Sequence, residues 1–446
     1  MRSIFNFLPG GVRWRALAAS SLLVLMAGAE AGAQPSAPPL SLPQALQQTL
    51  LHNADLQVFP YQLRKNDARA LEAARKPMPS LELEVENAFA RSSGSRLERP
   101  FTDSDVTLAL SQVIELGDKR QRRMEQVRVS AESLYSQYEL ARLDVLAEAA
   151  RRYYDVLRQQ QLRSWITRRI ELEQDALATA RVRADAGALS RAEVTRLQLR
   201  LARSEALQLD LAGDLDLARL QLSAMWGGLD PAPEVSGELT PLPTVPDIPS
   251  LRATVENTPA FLHHATTRRL AAAELRLQQS YNKPDASLTV GIRHLGVESD
   301  EGLVFSLDVP LGQGRGNRGR VAEAQAEVDL QDAQQALTAT TMAAALGQIR
   351  QRMANAHAMA TRLEEQLLPL SRQLLEDIRE GYVRGQFDVI QWLDAQSELV
   401  ALERDLIEAR YTVHLQLLEL EQMTGQPLAG NGMSMLPEQY AREVSP

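Results

Sequence analysis

Cysteine is absent from all 446 residues, which excludes disulfides, thiolate metal sites and cysteine nucleophiles. The same absence removes the N-terminal cysteine that a lipoprotein needs. Apolar runs are short: beyond the first 33 residues none approaches the roughly eighteen that a transmembrane helix requires. A membrane could be crossed only by strands. Histidine is scarce, with six in the chain, and His263 and His264 are adjacent rather than spaced i, i+4 as in a helical zinc pair. Excess positive charge is also lacking. The formal net charge is −9, so nucleic acid is not an expected partner. No Ser-His-Asp or paired-carboxylate arrangement can be argued, and neither an enzyme nor a cofactor is expected.

What is present begins with an address. Arg2, Arg13 and Arg15 precede an apolar run of 12 residues at 16–27, followed by Ala31-Gly32-Ala33. A basic start, an apolar core and an A-x-A site read as a signal peptide over 1–33, cleaved before Gln34. The run is too short to span about 30 Å of hydrocarbon. Removing those arginines and Glu30 leaves 45 basic and 56 acidic residues, a net charge of −11.

The rest is a repeat with a period of about 200 residues. Leu42-Pro43-Gln44 and Asn53-Ala54-Asp55-Leu56 recur as Ile248-Pro249-Ser250 and Asn257-Thr258-Pro259-Ala260. Pro79-Ser80-Leu81 answers Pro284-Asp285-Ala286-Ser287-Leu288, Gly187 answers Gly385, and Met225-Trp226-Gly227 answers Met423-Thr424-Gly425. Repeat 1 covers 34–230 and repeat 2 covers 250–428. A proline-rich linker at 231–249 joins them, and a tail follows at 429–446.

Each repeat reads as helix, strand pair, long helix, turn, return helix. Period-two alternation predicts strands at about 80–90, 105–113, 286–294 and 302–309, with Leu81, Leu83, Val85 and Phe89 on one face of the first. Four strands leave two open edges, which a membrane does not tolerate, so a barrel needs several chains. The stretch 118–186 holds 69 residues without proline or glycine, about 100 Å of helix. A second long helix spans 318–384, with Pro369 expected to kink it. Steps of three and four at Val127, Ala131, Leu134, Tyr138, Ala141 and Val145 suit a coiled-coil seam.

The return helices are expected at 190–226 and 386–424. The first carries two apolar stripes, Leu207-Leu211-Leu215 and Leu197-Leu201, as a helix inside a wall would. Lengths suggest that 190–226 stacks end to end with 260–283, and that 386–424 stacks with 55–76. The result is a hollow cylinder. Met342, Met353 and Met359 read as core residues. Gly314 to Gly319 fits G-x-G-x-x-G, but the helix after it is too long for a dinucleotide fold, and an elbow is the better reading.

Four motifs at repeat spacing carry a resemblance. They are Leu110-Ser111-Gln112-Val113-Ile114-Glu115-Leu116-Gly117-Asp118-Lys119-Arg120 with its counterpart Phe305 to Leu311, Ala186 to Val194, and Gly381-Tyr382-Val383-Arg384-Gly385 running on to Trp392-Leu393-Asp394-Ala395-Gln396. The chain resembles the TolC family of outer-membrane efflux proteins, and more narrowly its CzcC-like heavy-metal branch. The resemblance implies a mainly α fold with a small β part. A homotrimer would form a 12-stranded outer-membrane β-barrel, four strands per chain, continuous with a long α-helical periplasmic barrel. It implies contact with outer-membrane lipid, a periplasmic adaptor and an inner-membrane pump of the resistance-nodulation-division type. Docking would fall at the helical tips, on Gly187, Leu189, Ser190, Glu193, Gly385, Gln386 and Asp388. Asp394 would form a carboxylate ring at the periplasmic gate, with Gln391 where the family has a second aspartate. Ser190 with Glu193 also reads as a capping box. Heavy-metal cations are the expected cargo. Multidrug efflux, type I secretion, a periplasmic coiled-coil scaffold and a hydrolase on a helical frame are the alternatives.

Overall fold

The structure, a computed structural model, describes residues 38–87, 104–296, 300–312 and 316–428. The expected signal peptide, the tail, most of the first hairpin loop, Phe89 and Gly314 lie outside these residues. Repeat 1 runs through α1 (Leu42–His52), α2 (Ala54–Gln57), α3 (Phe59–Ala73), β1 (Ser80–Glu86), β2 (Asp105–Ile114), α4 (Lys119–Asp185) and α5 (Arg191–Ala224). Repeat 2 follows with α6 (Ile248–Thr254), α7 (Pro259–Ser280), β3 (Ala286–Leu295), β4 (Asp300–Asp308), α8 (Arg318–Arg362), α9 (Leu368–Val383) and α10 (Val389–Thr424). The 67 residues of α4 give it a length of about 100 Å.

The strands form one antiparallel sheet in sequence order, β1-β2-β3-β4. Below it the helices keep the same order. The tier nearest the sheet runs α3-α4-α7-α8, and the lower tier runs α5-α4-α10-α9. Each chain is thus four columns wide, one strand at the head of each. α4 is continuous through both tiers, whereas α3 and α7 are separate helices stacked on the ends of α5 and α10.

The stacking differs from the expected pairing. Asn53, the N-cap of α2, donates through Nδ2 to the Met225 carbonyl just past α5, at 3.0 Å. In repeat 2, Gly425 at the end of α10 lies against Pro259 at the start of α7. Helices therefore stack within each repeat, not across repeats. The lengths fit either arrangement, and only the capping contact between ends distinguishes them.

Pro369 does not break the second long helix. A π-helical turn, Leu363–Leu367, separates α8 from α9 and places the proline in the first turn of α9. There its missing N–H costs little, and the wider turn takes up the clash with the preceding carbonyls.

Where β2 becomes α4, Gly117 and Asp118 both take positive φ, +87° and +59°. Only glycine does so freely, with aspartate a tolerated second. Lys119, 3% exposed, donates to Asp285 Oδ1 at 2.7 Å, and the Leu116 N–H donates to the same oxygen at 3.2 Å. The elbow motif of the sequence is thus a tie between β2–α4 and the α7–β3 turn.

The largest apolar cluster sits at mid-height. There Leu42, Ala45 and Leu46 of α1, with Val235 and Leu239 of the linker, pack on Leu146, Ala150, Tyr153 and Leu157 of α4. Leu40 and the linker exchange backbone bonds, Leu40 N–H to the Glu234 carbonyl at 2.8 Å and Ser236 N–H to the Leu40 carbonyl at 2.9 Å. The buried Tyr153 hydroxyl donates to the Ser236 and Leu40 carbonyls. Met342 and Met353 join a second cluster with Leu346, Ile349, Val413 and Leu417. Met359, also expected in the core, is exposed.

Tyr153→Phe leaves the Ser236 carbonyl without this donor while preserving the ring's packing. It should lower stability by about 1–2 kcal/mol, read as a lower denaturation midpoint with unchanged helix content. An unchanged midpoint would show that the belt is not held by this hydroxyl.

Candidate functional site

The sheet has two unlike faces. Directly opposed residues share a face, so the register places Leu81, Leu110, Val290 and Phe305 in one row. Leu83, Leu108, Ile292 and Leu303 make the next row, and all eight residues are exposed. The other face carries Glu82, Ala109, Gly291 and Val304 in one row, and Glu84, Thr107, Arg293 and Gly302 in the next. Arg293 pairs with Glu86 and Asp105 across three strands. Gly291 is required by packing, since a Cβ there would lie 2.7 Å from both Ala109 Cβ and the Leu108 carbonyl. A continuous apolar face, exposed and backed by a polar one, is the pattern of a strand array between lipid and water. No helix among the described residues is long and apolar enough to cross a membrane.

At the far end of the columns, α4 turns into α5 and α9 turns into α10. Gly187 and Gly385 take φ of +75° and +78°, so both turns use the left-handed backbone that glycine alone enters freely. Three residues on, Ser190 and Asp388 cap the returning helices. The Ser190 N–H donates to Glu193 Oε2 at 2.9 Å, and Glu193 N–H donates to Ser190 Oγ at 3.3 Å. In the second tip the Asp388 N–H donates to Gln391 Oε1 at 3.0 Å, and Gln391 N–H donates to Asp388 Oδ1 at 2.8 Å. The two boxes are equivalent, with the carboxylate at N3 in one and at the N-cap in the other. Each places one negative charge at a helix N-terminus.

The predicted tip residues are therefore brought together within each turn. Gly187, Ser190, Gly385, Gln386 and Asp388 are exposed, and Leu189 and Glu193 are half-buried. Gln391 is placed by the cap, a structural task the sequence reading did not assign to it. Asp394 is exposed one turn further along α10, between buried Leu393 and Ala395.

Two contacts at the tips were not foreseen. Arg183 of α4 donates to the Tyr382 carbonyl at 2.7 Å and lies 4.0 Å over the Tyr382 ring. That ring packs on Trp392 with centroids 5.0 Å apart. Above them Glu173, 1% exposed, accepts from Arg169 Nε at 3.0 Å and Arg200 Nε at 2.9 Å. Arg200 also donates to the Leu393 carbonyl at 3.1 Å, next to Asp394. The first hairpin thus grips the second at Tyr382 and at Leu393, the residue before that aspartate.

The bonds from the Ser190 hydroxyl and N–H hold the Glu193 carboxyl below the usual range, against desolvation and the opposing charge of Asp388. A depressed folded value means that this carboxylate's contribution is present above the unfolded pKa. It is lost as pH falls through the folded one. Acidification through and below the usual glutamate range should therefore speed hydrogen exchange of the amides at 190–193. Glu193→Gln, which keeps the hydrogen bond and loses the charge, should show no such acid step.

An exposed apolar sheet face at the head of a wall of long helices is the architecture expected of a membrane channel subunit. A family model described as "Outer membrane efflux protein" matches residues 45–228. The cobalt-zinc-cadmium resistance protein CzcC of Cupriavidus metallidurans is 24% identical over 350 residues, 78% of this chain and 81% of that one. The nickel-cobalt-cadmium resistance protein NccC of Alcaligenes xylosoxydans xylosoxydans is 23% identical over 289 residues, 63% of this chain and 64% of that one. The solved outer-membrane channel OprN shares the fold with a TM-score of 0.69 at 17% identity, covering 88% of this chain and 90% of that one. Residues 45–228 thus match the outer-membrane efflux protein family, and the chain is similar to CzcC and NccC over most of its length. Its fold is that of solved outer-membrane channels.

Proposed function

We propose that three copies of this chain close into one duct, the passive exit of a tripartite efflux system. A periplasmic adaptor and an inner-membrane pump of the resistance-nodulation-division type would deliver the cargo. The observation that carries the reading is that every tier is left open at the same two columns. β1 and β4 are the free edges of the sheet; α3 and α8 flank the upper helical tier, and α5 and α9 the lower one. Uncovered apolar side chains mark these elements: Tyr61 and Leu71 on α3, Leu330 and Leu337 on α8, Leu370 and Leu374 on α9. On α5 the buried stripe is Leu197, Leu211 and Leu215, and a second stripe of Leu199, Leu209 and Leu217 is exposed on the opposite side. This replaces the second stripe expected from the sequence. One translation-like step, β4 onto β1 and column four onto column one, would cover all of them. Repeated three times it closes twelve strands and twelve columns, a heterologous ring.

In this reading the tips dock the adaptor through Gly187, Leu189, Ser190, Glu193, Gly385, Gln386 and Asp388. Three copies of Asp394 form an acidic ring at the entrance, attractive to cations. The cargo is a heavy-metal cation, a reading supported by the names of the two sequence relatives and by the Glu82 and Glu84 rows on the polar sheet face. A duct needs no tight site, because strong binding would slow exit.

Leu209 and Leu217 touch nothing essential within one chain, so the pair of substitutions Leu209→Glu and Leu217→Glu separates folding from assembly. Helix content should be kept while heat-resistant trimers in outer-membrane extracts give way to monomers. Trimers that persist would reject this edge as the contact. For the cargo, a deletion strain should become sensitive to zinc, cobalt, cadmium or nickel, and Asp394→Asn should restore resistance only in part. Sensitivity confined to dyes and detergents would overturn the metal assignment and favour multidrug efflux.

A further inference from the structure

Just below the sheet a cavity of about 860 Å³ opens over α4 between α3 and α7. Its lining combines apolar surface, from Ala73, Met78, Val127 and Leu277, with four cationic side chains. Two of those are already neutralised. Arg75 lies 3.1 Å from Glu72, and Arg123 reaches both carboxylate oxygens of Glu115 at 2.5 and 3.0 Å. The other two, Arg69 and Lys76, line the cavity with no ion pair among the described residues.

The wall between them holds a polar group that is half satisfied. Asn66 is 4% exposed, and its Nδ2 donates to the Val127 carbonyl at 3.2 Å. Its Oδ1 is buried with no donor. A buried acceptor of this kind calls for an explanation, and a ligand that brings a donor is one.

These features specify a ligand. It is anionic, to meet Arg69 and Lys76, and it carries a hydrogen-bond donor on or beside the charged group, to meet Asn66. Sulfate and carboxylate bring charge without a donor. Monohydrogen phosphate brings a P–OH, and a phosphoethanolamine group brings an ammonium. We propose that this cavity binds a phosphoryl group bearing such a donor. Arg69 and Lys76 take the charge, Asn66 Oδ1 accepts the donor, and the apolar lining takes the organic part of an ester. This inference is independent of which cargo is exported.

The chemistry could come from a soluble phosphoester or from a phospholipid head group, and the test separates them. Calorimetric titration of the purified full-length protein in detergent would use O-phosphoethanolamine, inorganic phosphate at mildly alkaline pH, and sulfate. Mass spectrometry of the same preparation would report co-purified phosphatidylethanolamine. Arg69→Gln and Lys76→Gln change exposed side chains and should leave the fold intact. Each should weaken phosphoester binding about tenfold, as loss of a charge-assisted contact does, with sulfate binding weakest throughout. Retained lipid that both variants lose, with no soluble binding, supports the site with a lipid as its source. Sulfate bound as tightly as phosphate, variants equal to the parent, or neither ligand bound would overturn it.

Discussion

A buried backbone group without a partner is costly anywhere, and in hydrocarbon there is no water to relieve it. That constraint organises this molecule. A sheet of four strands in order β1-β2-β3-β4 has two free ladders, and its eight-residue apolar face gives it no place but lipid. In the proposed ring those edges pair with other copies of the chain. Because each strand heads one column of helices, closing the sheet also sets the order and spacing of the wall beneath. The helices inherit their neighbours from the strands, and the elbow ties, Lys119 to Asp285 and Leu116 to the same carboxylate, transmit that order across the bend.

The two-tier wall follows from how a long helix is stabilised. Propensity alone cannot hold about 100 Å of α4; burial of its faces does. Its middle third is packed by α5, α10, α1 and the linker, and Ala147, Ala149 and Ala150 there are almost wholly buried. Small side chains at those positions let the layers approach. Toward the sheet α4 is flanked only by α3 and α7, and its contacts become polar, as with Ser136, His263 and Thr266. Burial lowers the proton affinity of His263, with its neighbour His264 adding to the effect. His263, through Ser136 Oγ, is part of a hydrogen-bonded seam.

Much of this was legible because the signals were periodic. Alternation in Leu81 to Val85 and Leu303 to Leu307 survives any reading of the surroundings, and a helix without proline or glycine for tens of residues has few other fates. What was not legible depends on contacts between distant residues. Lengths pointed α5 and α10 to partners in the other repeat, and the contacts of Asn53 on Met225 and Pro259 on Gly425 place them within their own. On α5, leucine at nearly every second position supports several stripes at once; which one is buried depends on where α4 lies. Glu173 sits in an arginine-rich helix. Its signal was Arg169 four residues before it, and the second arginine arrives from another helix.

The tips show how one repeat can serve two purposes. Both turns use a left-handed glycine and a reciprocal cap, so duplication preserved the backbone chemistry of the turn. The side chains have since diverged around it. Phe387 in the second tip packs over Gly381, where any Cβ would meet the ring at 2.2 Å, and Arg183 from the first tip closes over Tyr382. The first hairpin therefore acts as a brace for the second. Arg200 on the Leu393 carbonyl extends that brace to the residue before Asp394. An acidic side chain that is exposed, yet carried on backbone held from a neighbouring helix, is fixed in position without being neutralised. The acidic ring proposed at the entrance requires that combination, since a carboxylate paired within its own chain would have no field left for a cation.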